Sequence, residues 1–393
     1  MTDHAREDRR KLVVFVAVVS ATTAAILAMN ARVHGQSIAA VEGAGTPLRA
    51  GLERLAANAD KCAMTMDASP ETERPMRHVN ASIVDMPDVL VLGQSDADHM
   101  SKAFFKNDVR FYNGFISNTC FAYQYEVFYD LQNAHSSVPK IVLVDVRSGT
   151  VLREGTEPLW DSGAANFKWY GHPPFRYGKP DPVPWYRDIP SLLSLAQTED
   201  TFTSLFARFR HAAPSTGDVD AQDTGQQFRC VSLTSNAHMY RWSADGARIY
   251  SNERNGALVP EGQLRIGDAV GDRHPNHERL GGLDDILGRM KAAGSRVVVY
   301  SPPVHPRSYD DRRQAKMIES SGAAIREITA KYDIDYCDLS LAADRIGCTA
   351  SDFADEVHVS RHCDERVVHE LVSGCAPKVA PLLRPMVAPA VLE

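Results

Sequence analysis

Four short apolar runs punctuate the chain: Asp88 to Leu92, Lys140 to Val146, Ser295 to Ser301 and Asp333 to Leu339. They show little alternation of polar with apolar residues, so each predicts a strand covered on both faces, as in a parallel sheet. Helical periodicity lies between the later runs. Leu280 to Ala293 is a helical stretch that ends at Gly294, and Arg313 to Lys331 is long and amphipathic. This alternation predicts a doubly wound α/β sheet. Ligands of such sheets gather at the carboxyl ends of the strands. Gln94-Ser95 and the stretch from Pro302 onward follow such ends directly.

The rest of the pattern is less regular. Thr46-Pro47 reads as an N-cap followed by proline in the first helical turn, with Leu48, Leu52 and Leu55 as a packing stripe. Residues from about 150 to 280 form an insertion of different character, rich in proline and glycine, that holds Trp160, Trp169, Trp185 and Trp242. Within it Phe202, Leu205, Phe206 and Phe209 mark one face of a short helix. Tyr240 to Tyr250 predicts a hairpin turning at Asp245-Gly246. We expect a cap or insertion over the sheet edge, its aromatic residues packed in a core, with a sugar or lipid groove as the alternative.

Leu12 to Met29 carries no charge and is just long enough to span a bilayer. Arg6, Arg9, Arg10 and Lys11 precede it, so the positive-inside rule places the bulk of the chain outside the cytoplasm. An uncleaved anchor is expected, with a cleaved signal peptide as the competing reading. The organisation that follows is a cytoplasmic tip and transmembrane anchor over 1–35, a juxtamembrane linker and helix over 36–85, and an α/β domain over 86–393. In a bacterium this is a single-pass inner-membrane protein with its main domain on the periplasmic side.

Composition narrows the chemistry. The 393 residues carry a formal charge of −7, which argues against nucleic acid as a partner. Seven cysteines fit an oxidising compartment, and no C-x-x-C spacing suggests zinc. Cys348 and Cys363 bracket the segment Asp352 to His358. A bond between them would close that loop, with free buried thiols as the alternative.

The candidate chemistry rests on that segment and on Ser95. A serine at a strand tip, with an aspartate three residues before a histidine brought from elsewhere, is the inventory of nucleophilic acyl transfer. His305 is the rival base, although a proline-rich loop explains it better. Asp98-His99 reads as a solvated turn, and Asp352 is a weaker alternative to Asp355.

Several stretches together resemble the SGNH (GDSL-like) hydrolases, in particular membrane-anchored members associated with envelope and exopolysaccharide O-acylation. They are Val91-Leu92-Gly93-Gln94-Ser95, Phe111-Tyr112-Asn113, Pro139 to Asp145, Asp245-Gly246-Ala247-Arg248, Pro302 to Pro306 and Asp352 to His358. The resemblance implies a flavodoxin-like doubly wound sheet, with Ser95 as nucleophile, His358 as general base and acid, and Asp355 as the orienting carboxylate. It implies no metal and no organic cofactor. The substrate would be an acylated glycan or small ester, and a membrane-bound acyltransferase is an implied partner. Ser95 at a helix start would lend a backbone N–H to the oxyanion. The family completes that hole with a glycine and an asparagine. Here Asn113 and Asn118 are the side-chain candidates, and Asp145-Val146-Arg147-Ser148 stands where an asparagine is expected. A catalytically degenerate, glycan-binding relative is the alternative.

Overall fold

The computed structural model describes residues 22–23, 47–59, 61–65, 70–117, 121–152, 175–176, 179–180, 229–232, 240–250, 274–309, 312–353, 355 and 357–392. The expected anchor Leu12 to Met29, apart from Thr22 and Thr23, lies outside them, as do Asn118, Trp160, Trp169, Trp185 and the helix expected at Phe202 to Phe209. Among the described residues no helix is long and apolar enough to cross a membrane. The chain divides into two compact units, and the one made of 47–157, 175–179 and 227–393 contains all that follows.

In chain order its strands of three or more residues are β1 (Cys62–Thr65), β2 (Val89–Leu92), β3 (Phe111–Asn113), β4 (Ile141–Asp145), β5 (Arg229–Ser232), β6 (Tyr240–Trp242), β7 (Arg248–Tyr250), β8 (Arg296–Ser301) and β9 (Asp335–Asp338). The longer helices are α1 (Pro47–Ala57), α2 (Pro70–Ala81), α3 (Phe121–His135), α4 (His277–Ala292), α5 (Arg312–Lys331) and α6 (Arg361–Glu370).

Five parallel strands form the main sheet in the order β9-β8-β4-β2-β3. All four predicted runs are in it, each trimmed by a residue or two at its ends. Every residue of β2 and β4 is buried, which explains why neither run alternates. Helices α3, α4 and α5 pack side by side. Along α5 the buried positions Met317, Ser321, Ile325 and Thr329 recur at helical spacing. From β2 the chain moves to one edge of the sheet, and from β4 to the other. The strand order therefore reverses between β2 and β4, and the carboxyl ends of those two neighbours frame a crevice.

A second, antiparallel sheet has the order β5-β1-β6-β7. Its β6–β7 hairpin is the one predicted at Asp245-Gly246, with Tyr240 opposite Tyr250 and Gly246 at φ +84°. Trp242 is wholly buried, as core packing requires.

Residues 47–81, expected as a segment ahead of the domain, are built into it. β1 pairs with β5 and β6, and α2 packs on α3. Arg77 of α2 donates to the carbonyls of Phe115 and Gly246, each at 2.9 Å, while its guanidinium lies over the rings of Phe115 and Trp242. This segment was legible only as isolated helical spacing because its partners are far away in the chain.

Candidate active site

Gly93 and Ser95 follow β2 directly, and Ser95 opens a short 3₁₀ turn, Ser95–Ala97. The approach of β2 to β4 dictates the glycine: a Cβ at position 93 would sit 2.6 Å from Asp145 Cβ. Two braces fix the turn from behind. Asn113 donates both amide hydrogens to the carbonyls of Ala97 and Met100, and its Oδ1 accepts from Phe115 N–H. Arg248 of the hairpin donates its backbone N–H to the carbonyl of Asp98 and its Nη1 to the Asp98 carboxylate at 3.0 Å. Nη2 of Arg248 then reaches Glu73 and Ser117. Asp98 and His99 are thus buried, not a solvated turn. The charge they bring inside is balanced by an arginine about 150 residues away, which local sequence could not reveal.

The other half of the site is the loop before α6. Asp352 closes it: Oδ2 accepts from the Thr349 N–H and hydroxyl, Oδ1 accepts from the Ser360 hydroxyl, and the Asp352 carbonyl accepts from Ser360 N–H. Phe353 and Val359 form a single antiparallel bridge across the neck. A disulfide joins Cys348 to Cys363 outside it, and a second joins Cys337 to Cys375. Asp352 is therefore a structural clamp rather than the triad acid. His305 is buried, accepts Arg307 N–H at Nδ1, and stands edge-on to Phe353, so it walls the loop.

Within that neck lies the relay. Ser95 Oγ is 2.7 Å from His358 Nε2, and His358 Nδ1 is 2.6 Å from Asp355 Oδ2. Asp355 Oδ1 accepts the backbone N–H groups of Val357 and His358, each at 2.9 Å, which fixes the carboxylate plane. Burial pushes the Asp355 carboxyl up, but these hydrogen bonds and the His358 charge outweigh it and hold the group at about 2. Burial draws His358 down, yet the Asp355 hydrogen bond and the charges of Asp96, Asp355 and Asp98 raise it to about 8. In the neutral imidazole, Nδ1–H donates to Asp355 and Nε2 is left to accept the serine proton.

Beside the relay is a buried acidic layer whose charge pairing the sequence did not show. Asp96, next to the serine, pairs with Arg147 Nη1 at 3.1 Å, and its Oδ1 lies 4.0 Å from His358 Nε2. Asp145, at the tip of β4, has both carboxyl oxygens buried without a hydrogen-bond partner among the described residues. Burial, and then the nearby Asp96 charge, push its carboxyl well above the usual carboxylate range.

Of the sequence-predicted residues, Ser95, Asp355 and His358 meet. Asn113 does not face them as a donor, because both its amide hydrogens are bonded to loop carbonyls. Among the described residues no cluster of side chains could hold a metal ion. No protein-family model matches the chain, and no curated protein matches it.

Proposed function

We propose that the chain is a serine esterase or O-acyltransferase of the SGNH type, acting through an acyl-enzyme on a small acyl ester, acetyl being the simplest, of an envelope or secreted glycan. The observation that carries this reading is the continuous hydrogen-bonded path from Ser95 through His358 to Asp355, drawn from positions 263 residues apart. The strand order, 2-1-3-4-5 when the main-sheet strands are numbered along the chain, supports the flavodoxin-like, doubly wound form of the fold. The nucleophile leaves the first of those strands and the acid–base pair precedes the last long helix.

The chemistry follows from these groups. Ser95 Oγ attacks the ester carbonyl carbon while its proton passes to His358 Nε2, and the carbonyl π pair moves to oxygen. The pair then returns, the carbon–alkoxy bond breaks, and the leaving alcohol takes the proton from His358. Water or a sugar hydroxyl repeats the sequence in reverse to release the acyl group. Asp355 holds the ring in one tautomer and stabilises the imidazolium.

Two disulfides support an exported domain, since such bonds persist in oxidising compartments. Together with the uncharged N-terminal stretch of the sequence, they support the reading of an inner-membrane protein that faces the periplasm, with a membrane-bound acyltransferase as its partner. A degenerate glycan-binding role is the second reading, favoured by the engagement of Asn113 elsewhere.

The test uses the detergent-solubilised full chain with a fluorophosphonate and p-nitrophenyl acetate. A phosphonate adduct on Ser95 and turnover that disappears in Ser95→Ala are expected. A wild type that neither labels nor turns over overturns the enzymatic reading and leaves the binding role.

A further inference from the structure

An acyl-transfer site needs a donor for the oxygen that becomes negative, and Asn113 is committed elsewhere. The loop beside the nucleophile offers another group. Arg147 is two residues past the end of β4, the strand that pairs with β2, so its loop leaves the sheet next to the one that carries Ser95. Its side chain is 19% exposed, whereas that of its partner Asp96 is fully buried. One nitrogen, Nη1, is anchored on Asp96 Oδ1. That same oxygen lies 4.0 Å from His358 Nε2, the nitrogen that meets the serine. The anchor therefore holds the guanidinium on the nucleophile side of the imidazole. Its Nε–Nη2 edge is bonded to none of the described residues. It faces Gly149, where an added Cβ would stand 3.2 Å from Nε and 3.4 Å from Nη2. A rigid, planar, permanently charged and partly exposed donor is thus anchored on the residue that follows the reacting serine.

We infer that Arg147, aimed by Asp96, is the side-chain oxyanion donor of this site. The inference rests on the acyl-transfer reading above. As the Ser95 Oγ–carbon bond forms and the serine proton moves to His358, the carbonyl oxygen takes the π electron pair. A guanidinium N–H then donates to that oxygen, and the bond relaxes when the pair returns and the alkoxy group leaves. Because the charge exists only in the tetrahedral state, the arginine acts on kcat and leaves ground-state binding alone.

The experiment measures kcat and KM for p-nitrophenyl acetate, and the inhibition constant of phenylboronic acid, whose adduct with Ser95 mimics the tetrahedral state. Wild type, Arg147→Ala and Arg147→Lys are compared as full chains. For Arg147→Ala, kcat falls by about 10²- to 10³-fold, KM stays within about threefold, and the boronate constant rises in step with the loss of kcat. Arg147→Lys retains the charge without the fork and falls in between. It also decides the matter should the alanine variant fail to fold. A kcat within about fivefold of wild type, or a KM that rises while boronate binding is unchanged, overturns the arginine's role and leaves the esterase reading standing. A wild type without turnover or phosphonate labelling removes both.

Discussion

Asp96 Oδ1 lies 4.0 Å from His358 Nε2, so the imidazole stands between two carboxylates, Asp355 on one nitrogen and Asp96 near the other. Once His358 has taken the serine proton, its positive ring lies close to the acid anchored by Arg147. The base is strengthened from both sides, which is why its pKa is raised to about 8 despite burial. Such tuning of a general base toward the working pH is what this chemistry requires.

The rate should follow from that value. Only neutral imidazole accepts the proton, so kcat/KM rises with pH through about 8 and levels above it. Asp96→Asn deletes one of the charges that raise the group, and the midpoint moves to lower pH. A pH–rate profile for both proteins checks it; a midpoint that stays put in the variant contradicts the electrostatic role of Asp96.

The same shift has a consequence for stability. His358 is raised above its ordinary 6.5, so its paired imidazolium favours the folded state below that value, and the contribution disappears as pH rises through about 8. His358→Ala should therefore cost more stability at pH 6 than at pH 9. Urea unfolding at the two values measures the difference, and an equal or larger cost at pH 9 would count against the pairing.

Asp355→Asn keeps the shape of the relay but removes the charge that selects the imidazole tautomer. We expect kcat to fall by about 10³- to 10⁴-fold with the fold intact. Steady-state kinetics with circular dichroism on the same sample separates loss of chemistry from loss of structure.

Joint replacement of Cys348 and Cys363 by serine opens the 15-residue separation that surrounds the relay loop. A loss of about 3 kcal/mol is expected from the chain-entropy model. Because Asp352 still clamps Thr349 to Ser360, residual turnover should survive in the folded fraction. Denaturant titration and activity per folded molecule provide the two readings.

Arg248→Leu leaves Glu73 and Asp98 buried without their cation. Removing one partner of a buried ion pair costs about 3–5 kcal/mol. Since Arg248 also braces the turn behind Ser95, turnover should fall alongside the unfolding midpoint. A variant as stable as wild type would show that the acids are accommodated otherwise.

What was legible in the sequence were features with local causes. Apolar runs with little alternation announced the buried parallel strands β2, β4 and β8, the repeat in α5 its inward face, and Asp245-Gly246 its turn. Helix α3 escaped notice because its aromatic, β-favouring residues Phe121, Tyr123, Tyr125 and Phe128 are buried by packing rather than chosen for helix propensity. Strand β1 escaped because its pairing partners, β5 and β6, come from beyond β4.

For the site the division is similar. Ser95 after a strand, and Asp355 three residues before His358, were fixed by order and spacing along the chain, since the backbone alone sets which groups a tight loop can present together. Which asparagine braces a turn, which acid is raised by burial and which arginine pairs with the acid after the serine depended on atoms from distant segments meeting in a water-poor interior. Hydrogen bonding and Coulomb interactions act over a few ångströms of space rather than along the chain, so only the tertiary structure decided the roles of Asn113, Asp145 and Arg147.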